Sequence, residues 1–355
     1  MARSESVSRG PVARAAAPHA ALPVGEAVAP HVTLPVGEAS APHVTLPAPR
    51  ASALNAAAAP HDAPVLNLPA ELLAARFDRE PFGFTHNLHT LELFRFDSLL
   101  SLAKKFAAAP RDYFVAAAAP SAATQFEAVP HGQCAVEEAL NRLDSSAVRV
   151  LLKRPENHDA RFRHLLDTLF EQVLALRGGL KGERVVRLES AVFLTSASSI
   201  TPCHFDPEIA FFAQIEGRKN YHVFSPASMS EAELESFYRR GIVSIAQVDL
   251  PSRDPGLECF FPLKPGEGHH QPQNSPHWVE TCAERSVSYS FVFETDKSRA
   301  RNRTRACNHY LRGAGIHPRA LGASPARDAA KAAAMRVVFP IRRRISAIAA
   351  KIRKA

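Results

Sequence analysis

The rhythm of apolar and polar positions changes about halfway along the chain. In "LHTLELFRFDSLLSLAKKF", Leu99, Leu102 and Phe106 recur at i, i+3 and i+7 beside Lys104 and Lys105, which predicts a helix with one buried face. "AVEEALNRLDSSAVRVLLKR" and "DARFRHLLDTLFEQVLALRGGL" also read as helices, the second ending at Gly178–Gly179, a usual C-terminal signal. "FGFTH" and "DYFVAAAA" are short strand-like interruptions. Beyond them, "ERVVRLESAVFLTSASSITPCHFD", "FFAQIEG", "RKNYHVF" and "RSVSYSFVFET" alternate with period two and predict successive strands. Helices first and strands afterwards predict an α+β fold around an antiparallel barrel or jelly roll.

The two ends depart from this pattern. Residues 17–52 repeat a twelve-residue unit, "APHAALPVGEAV", "APHVTLPVGEAS" and "APHVTLPAPRAS", with an echo in "AAAAPHDAPV". Each unit is rich in Ala and Pro and has too few large apolar groups to offset the entropy of ordering, so the expectation is a disordered tail over 1–62. His19, His31, His43 and His61 recur in it, and composition assigns them to that tail rather than to a metal site. At the other end, Ile341, Ile345, Ile348 and Ile352 fall at i, i+4, i+7 and i+11. Arg342, Arg344, Lys351 and Arg353 flank this stripe, Arg343 and Lys354 lie opposite, and Pro340 is expected to mark the helix start. The stripe is expected to pack on the barrel or on a second subunit; a basic amphipathic helix also suits nucleic acid or an anionic membrane surface.

Charge sharpens the division. Residues 296–355 hold 16 Lys and Arg against 2 Asp and Glu, and the remainder holds 27 against 33, so the high pI of 9.4 belongs to the C-terminal extension. The five cysteines, Cys134, Cys203, Cys259, Cys282 and Cys307, form no C-x-x-C pair and suit a reducing compartment. No apolar run approaches the roughly 18–20 residues of a membrane span, and the first residues lack the apolar stretch of a secretory signal. The expectation is a soluble, cytoplasmic protein.

The chemistry concentrates in "TPCHFDPEIAFFAQIEGRKNYHVF", which starts at Thr201. His204 and Asp206, two apart on a strand, point to one face. Such a pair fits a metal site, a general acid–base pair or a buried hydrogen bond. His277 follows 71 residues after Asp206 in "QPQNSPHWVE", just ahead of a strand in which Ser286, Ser288 and Ser290 alternate with Val287, Tyr289 and Phe291. Small polar groups on one face suit a barrel interior that takes a polar ligand. Two histidines and a carboxylate on one side of a metal leave its other side open, the facial pattern of non-haem Fe(II) sites. Lys219, after the "EGR" turn, would pair as a point charge with the far carboxylate of a chelating 2-oxo acid, and without an anion it would be costly to bury. His269 and His270 in "GEGHHQP" are expected to lie in the segment leading to His277, Cys203 to face away from His204, and Trp278 to be core.

These residues carry a resemblance. "TPCHFDPEIAFFAQIEGRK", "PHWV" and the serine-rich strand resemble the cupin-like, jumonji-C type Fe(II)/2-oxoglutarate-dependent oxygenases, above all the bacterial cupin-like group and the asparaginyl hydroxylase that modifies hypoxia-inducible factor. The resemblance spans about residues 64–318 and is strongest over 201–224. It implies a double-stranded β-helix core with flanking helices, divided as a tail over 1–62, the oxygenase domain over 63–298 and a basic helical extension over 299–355. It implies that His204, Asp206 and His277 bind iron, that Thr201 and Lys219 bind the distal carboxylate of 2-oxoglutarate, and that hydroxylation falls on a protein or peptide side chain, with a small molecule as the alternative. It also implies a homodimer through C-terminal helices. One departure concerns the near-carboxylate end: four residues past the aspartate the hydroxylase has asparagine and this chain has Ala210, so Ser290 is the residue taken for that end. A reading from a different class is a non-catalytic cupin-like regulator that binds nucleic acid or a partner through its basic tail.

Overall fold

The period-two half of the chain builds two facing antiparallel sheets in a computed structural model that describes residue 63 and residues 65–132, 134–241 and 246–352. The N-terminal repeats with their four histidines, together with Arg353 and Lys354, lie outside the described residues. Among the described residues the order is β1 (Leu66–Asn67), α1 (Ala70–Arg76), β2 (Phe82–His86), α2 (Phe96–Phe106), β3 (Tyr113–Ala117), α3 (Val136–Asn141), β4 (Val148–Lys153), α4 (Ala160–Arg177), β5 (Val185–Thr195), β6 (Ile200–Phe205), β7 (Ile209–Glu216), β8 (Lys219–Phe224), α5 (Glu231–Tyr238), β9 (Ala246–Gln247), β10 (Glu258–Leu263), β11 (Glu267–Gln271), β12 (His277–Thr281), β13 (Ser286–Thr295), α6 (Asp296–Gly313) and α7 (Pro325–Ile352).

The larger sheet runs β1-β2-β11-β7-β13-β5-β4-β3 and the smaller β10-β8-β12-β6-β9. From β5 onward the chain crosses from one sheet to the other at nearly every connection. The eight strands β5–β8 and β10–β13 thus form two four-stranded faces, β11-β7-β13-β5 and β10-β8-β12-β6, a double-stranded β-helix. Phe212 from one sheet packs between them with Tyr221, Val223, Leu263 and Val279 from the other.

The remaining faces carry the helices. α4 starts where Asp159 accepts from the Arg161 amide and stops at Gly178 in the left-handed region, so its expected C-terminal signal operates as such. It lays Phe162, Leu165, Leu166, Leu169, Phe170 and Val173 on the outer face of the larger sheet, against Val192, Leu194, Tyr289, Phe291 and Phe293. Each such side chain contributes about 1.5–3 kcal/mol when fully buried. Leu99, Leu102 and Phe106 of α2 join the same core, as their spacing predicts. On the outer face of the smaller sheet, Cys203 and Phe205 meet Leu234 and Tyr238 of α5, Ala306 of α6 and Met335 of α7.

Two expectations are corrected. The stretch "AVEEALNRLDSSAVRVLLKR" is not one helix: α3 ends at Asn141, and residues 148–153 are β4, paired between β3 and β5. Val148, Val150 and Leu152 are buried while Arg149, Leu151 and Lys153 are only partly so, the alternation of a strand with unlike faces. Nor does Pro340 begin the last helix. Pro325 does, and Pro340 lies inside it, where the missing amide removes one hydrogen bond from a run otherwise rich in Ala. Packing on the body falls to Met335 and Phe339, whereas Ile341, Ile345 and Ile348 stand 51%, 61% and 58% exposed, so these three isoleucines do not cover the barrel.

The β7–β8 turn shows why the sequence is constrained next to the barrel floor. Gly217 has φ +68°, and a Cβ there would strike the Arg285 carbonyl. The Gln214 amide braces the turn by donating to the Glu216 and Gly217 carbonyls at 2.7 and 3.1 Å. Gly217→Ala is expected to destabilise the protein by about 2 kcal/mol or more, a drop in Tm of roughly 5 °C in thermal unfolding. An unchanged Tm would show that the turn relaxes freely.

Candidate metal centre

His204 and Asp206, two residues apart, meet His277, 71 residues further on, at one end of the barrel. His204 is the penultimate residue of β6, and His277 opens β12 directly opposite it in the antiparallel register. Asp206 follows β6 by one residue, and its backbone carbonyl accepts from the Asn274 amide at 3.1 Å, which ties the two connections together. One ligand atom from each of His204, Asp206 and His277 lies within 4.8 Å of the others. The His277 Nε2 to Asp206 Oδ2 distance is 3.7 Å, and the two imidazole centroids are 4.0 Å apart.

Their hydrogen bonds decide which nitrogen is free. His204 Nδ1 lies 2.7 Å from the Pro202 carbonyl and His277 Nδ1 3.1 Å from the Ser275 carbonyl. A carbonyl only accepts, so both Nδ1 atoms carry the proton and both Nε2 lone pairs are available to a metal. Burial pushes the pKa of each histidine down; His277 adds to this for His204, while Asp206 opposes it for His277. Burial raises the Asp206 pKa, partly offset by His277 and Arg187. A divalent cation would reverse that cost, since it favours the carboxylate and needs neutral imidazoles. The donor set, two nitrogens and one oxygen on one side, fits ferrous iron.

At the other end of β12, Thr281 pairs with Lys219, four residues or about 13 Å of strand from His277. Lys219 is 3% exposed, and its Nζ donates to Ser288 Oγ at 2.9 Å. Ser288 Oγ in turn donates to Gln214 Oε1 at 2.8 Å. Thr201 accepts from Arg149 Nη1 at 2.9 Å. Ser290 sits one inward position nearer the metal end than Ser288, paired with Ala191 and Phe212. The structure therefore places His204, Asp206 and His277 in one group, Thr201 and Lys219 at the floor, and Ser290 on the wall between.

Arg149 is the residue that sequence reading passes over. Its Nε donates to the Ala117 carbonyl at 3.3 Å, and among the described residues it has no carboxylate partner. Burial holds its pKa down to about 10. Lys219 is held down to about 7, by burial first and then by Arg149. The available signal was a lone arginine on the inward phase of Val148-Arg149-Val150, legible once that segment is a strand.

Of the two neighbouring histidines, only His270 has both ring nitrogens hydrogen-bonded; neither nitrogen of His269 has a partner among the described residues. His270 Nδ1 donates to the Ala210 carbonyl at 3.1 Å while Nε2 accepts from the Asp78 amide at 3.0 Å, so neither nitrogen is free. His269 is enclosed by Phe212, Tyr221 and Phe261. Both lie in β11, as expected. Cys203 faces the outer cluster, and Trp278 stacks on His222 at 3.8 Å beside that cluster.

No protein-family model matches the chain, and no curated protein matches it. Among solved structures, Escherichia coli YcfD is similar with a TM-score of 0.46 and 17% identity, over 78% of this chain and 68% of that one. YcfD described as a ribosomal oxygenase in complex with cobalt and 2-oxoglutarate gives a TM-score of 0.43 and 17% identity, over 76% and 65%. An oxalate decarboxylase variant from Bacillus subtilis gives 0.21 and 16%, over 30% and 21%. The chain thus spans about two thirds of the length of the YcfD structures.

Proposed function

We propose that this chain is an Fe(II)- and 2-oxoglutarate-dependent oxygenase that hydroxylates a protein or peptide side chain. The observation that carries the reading is one barrel with two ends. Two imidazoles and a carboxylate converge within 4.8 Å at one end, and at the other Lys219 and Arg149 have no carboxylate partner among the described residues.

Ferrous iron, when bound, would supply oxygen activation coupled to oxidative decarboxylation of 2-oxoglutarate. The chain's own residues do the rest. His204, Asp206 and His277 hold the metal from one side, with the Pro202 and Ser275 carbonyls fixing the orientation of the two rings. Lys219, Arg149 and Thr201 take the distal carboxylate, and Ser290 is assigned to the near end. Phe212, Tyr221, Val223 and Val279 form an apolar wall that excludes water from the barrel. The choice of a protein or peptide side chain over a small molecule follows the resemblance of the 201–224 segment.

The test is anaerobic addition of Fe(II) and then 2-oxoglutarate to the purified protein. The expected result is a visible metal-to-ligand charge-transfer band, absent in His204→Ala and weakened in Lys219→Ala. No band from folded, iron-loaded protein would sink the oxygenase reading. A full band in Lys219→Ala would show that 2-oxoglutarate chelates the metal without help from Lys219 and would remove that residue from the distal-carboxylate role.

A further inference from the structure

Among the described residues, the barrel floor holds two basic groups, Lys219 and Arg149, and no carboxylate paired with either. Lys219 Nζ donates to the Ser288 hydroxyl, and Arg149 donates to the Thr201 hydroxyl and the Ala117 carbonyl. These neutral oxygens satisfy N–H groups without neutralising either charge. Elsewhere the same barrel handles sheltered arginines differently: Arg187 is paired with Glu189 and Glu208, and Arg299 with Glu294. At Arg187 and Arg299 the counter-charge is a carboxylate. At the floor the fold supplies hydroxyls, which leave the charge to be matched from outside, and the two cations there act on each other, Arg149 making Lys219 a weaker base. Unpaired buried charge is expensive whether or not a cosubstrate is present.

We infer that the Arg149–Thr201–Lys219–Ser288 floor is an anion site in its own right, filled by a small monovalent halide or carboxylate when 2-oxoglutarate is absent. The anion stabilises the metal-free protein and competes with the cosubstrate's distal carboxylate. Occupancy of the floor therefore links fold stability to the anions around the protein. The competition half of this inference rests on the oxygenase reading; the anion half does not.

The experiment is thermal unfolding of the metal-free, full-length protein in sodium chloride, sodium acetate or sodium gluconate at matched ionic strength. Gluconate controls for screening, being too bulky for a floor lined by four side chains. Tm is expected to climb and saturate with chloride or acetate relative to gluconate. A response to only one of them identifies whether halide or carboxylate fits. The increment should vanish in Arg149→Met and in Lys219→Met, which keep an unbranched apolar stem and remove the charge. In the wild type with Fe(II), chloride at its own half-saturating concentration should double the apparent Kd for 2-oxoglutarate, a measurement that needs no variant to fold. Equal Tm in all three salts, or an increment that survives in both Met variants, overturns the inference. Anion-dependent Tm without a charge-transfer band would leave the anion site standing and defeat the oxygenase reading. A band whose Kd ignores chloride, with Tm equally indifferent, would do the reverse.

Discussion

His277→Ala is expected to reduce Fe(II) affinity by more than about 100-fold, beyond the ~10–100-fold usual when only an outer hydrogen-bond partner of a ligand is lost. The reason is geometric. His277 contributes one of only three ligand atoms, and its Nε2 stands 3.7 Å from the Asp206 carboxylate. Without that nitrogen, a carboxylate that burial already pushes toward its neutral form has a single imidazole for company. Stability supplies the readout. Fe(II) at 100 times its Kd stabilises a protein that binds it only when folded by about 2.7 kcal/mol. The wild type should therefore melt higher with Fe(II) under anaerobic conditions and fall back on chelation, and His277→Ala should show neither change. His269→Leu is the control, because His269 sits inside an aromatic enclosure rather than among the three ligands. Fe(II)-dependent melting should persist in it. Fe(II) stabilisation that survives in His277→Ala and disappears in His269→Leu would move the metal to the other side of Tyr221.

Much of this site was legible before any coordinates because strand alternation fixes which side chains share a face. Ser286, Ser288 and Ser290 turn inward while Val287, Tyr289 and Phe291 enter the helix-covered core. The same rule placed His204 inside and Cys203 outside. Arg149 escaped because Val-Arg-Val-Leu-Leu-Lys, which follows α3 after a short loop, carries no strong period of its own. Its strand character comes from tertiary partners, β3 some 35 residues earlier and β5 some 40 later, which local sequence does not announce. The last helix was misplaced for a different reason. Pro340 looked like a start because proline suits a first turn, but the long Ala-rich run before it has enough helix propensity to carry the helix through. Local rules succeeded where one face of one element sufficed; they failed at β4, where distant strands made the decision, and at the last helix, where one residue's cue was set above the propensity of the run before it.

Arg149→Met is expected to weaken 2-oxoglutarate binding about 10- to 100-fold, the loss of one charge-assisted hydrogen bond worth ~1.5–3 kcal/mol, with Fe(II)-induced melting unchanged. Lys219→Met should cost a similar factor, and pH separates the two. In the ligand-free protein Lys219 is held down to about 7, by burial and then by Arg149. A carboxylate prefers the charged ammonium. Above pH 7 the lysine must first take up a proton, so the apparent affinity should fall about tenfold per pH unit until the raised pKa of the bound state is reached. Below pH 7 that slope should flatten, because the proton is already present. Lys219→Met should lose the slope altogether. Arg149→Met should keep it but begin it at higher pH, since removing the guanidinium removes the repulsion that Lys219 feels. The measurement is an anaerobic titration of the Fe(II) protein with 2-oxoglutarate between pH 6.5 and 8.5. A slope that is the same in the wild type and both variants would mean that Lys219 is not the proton-linked group, and that the floor holds the cosubstrate by shape and hydroxyl contacts instead of charge.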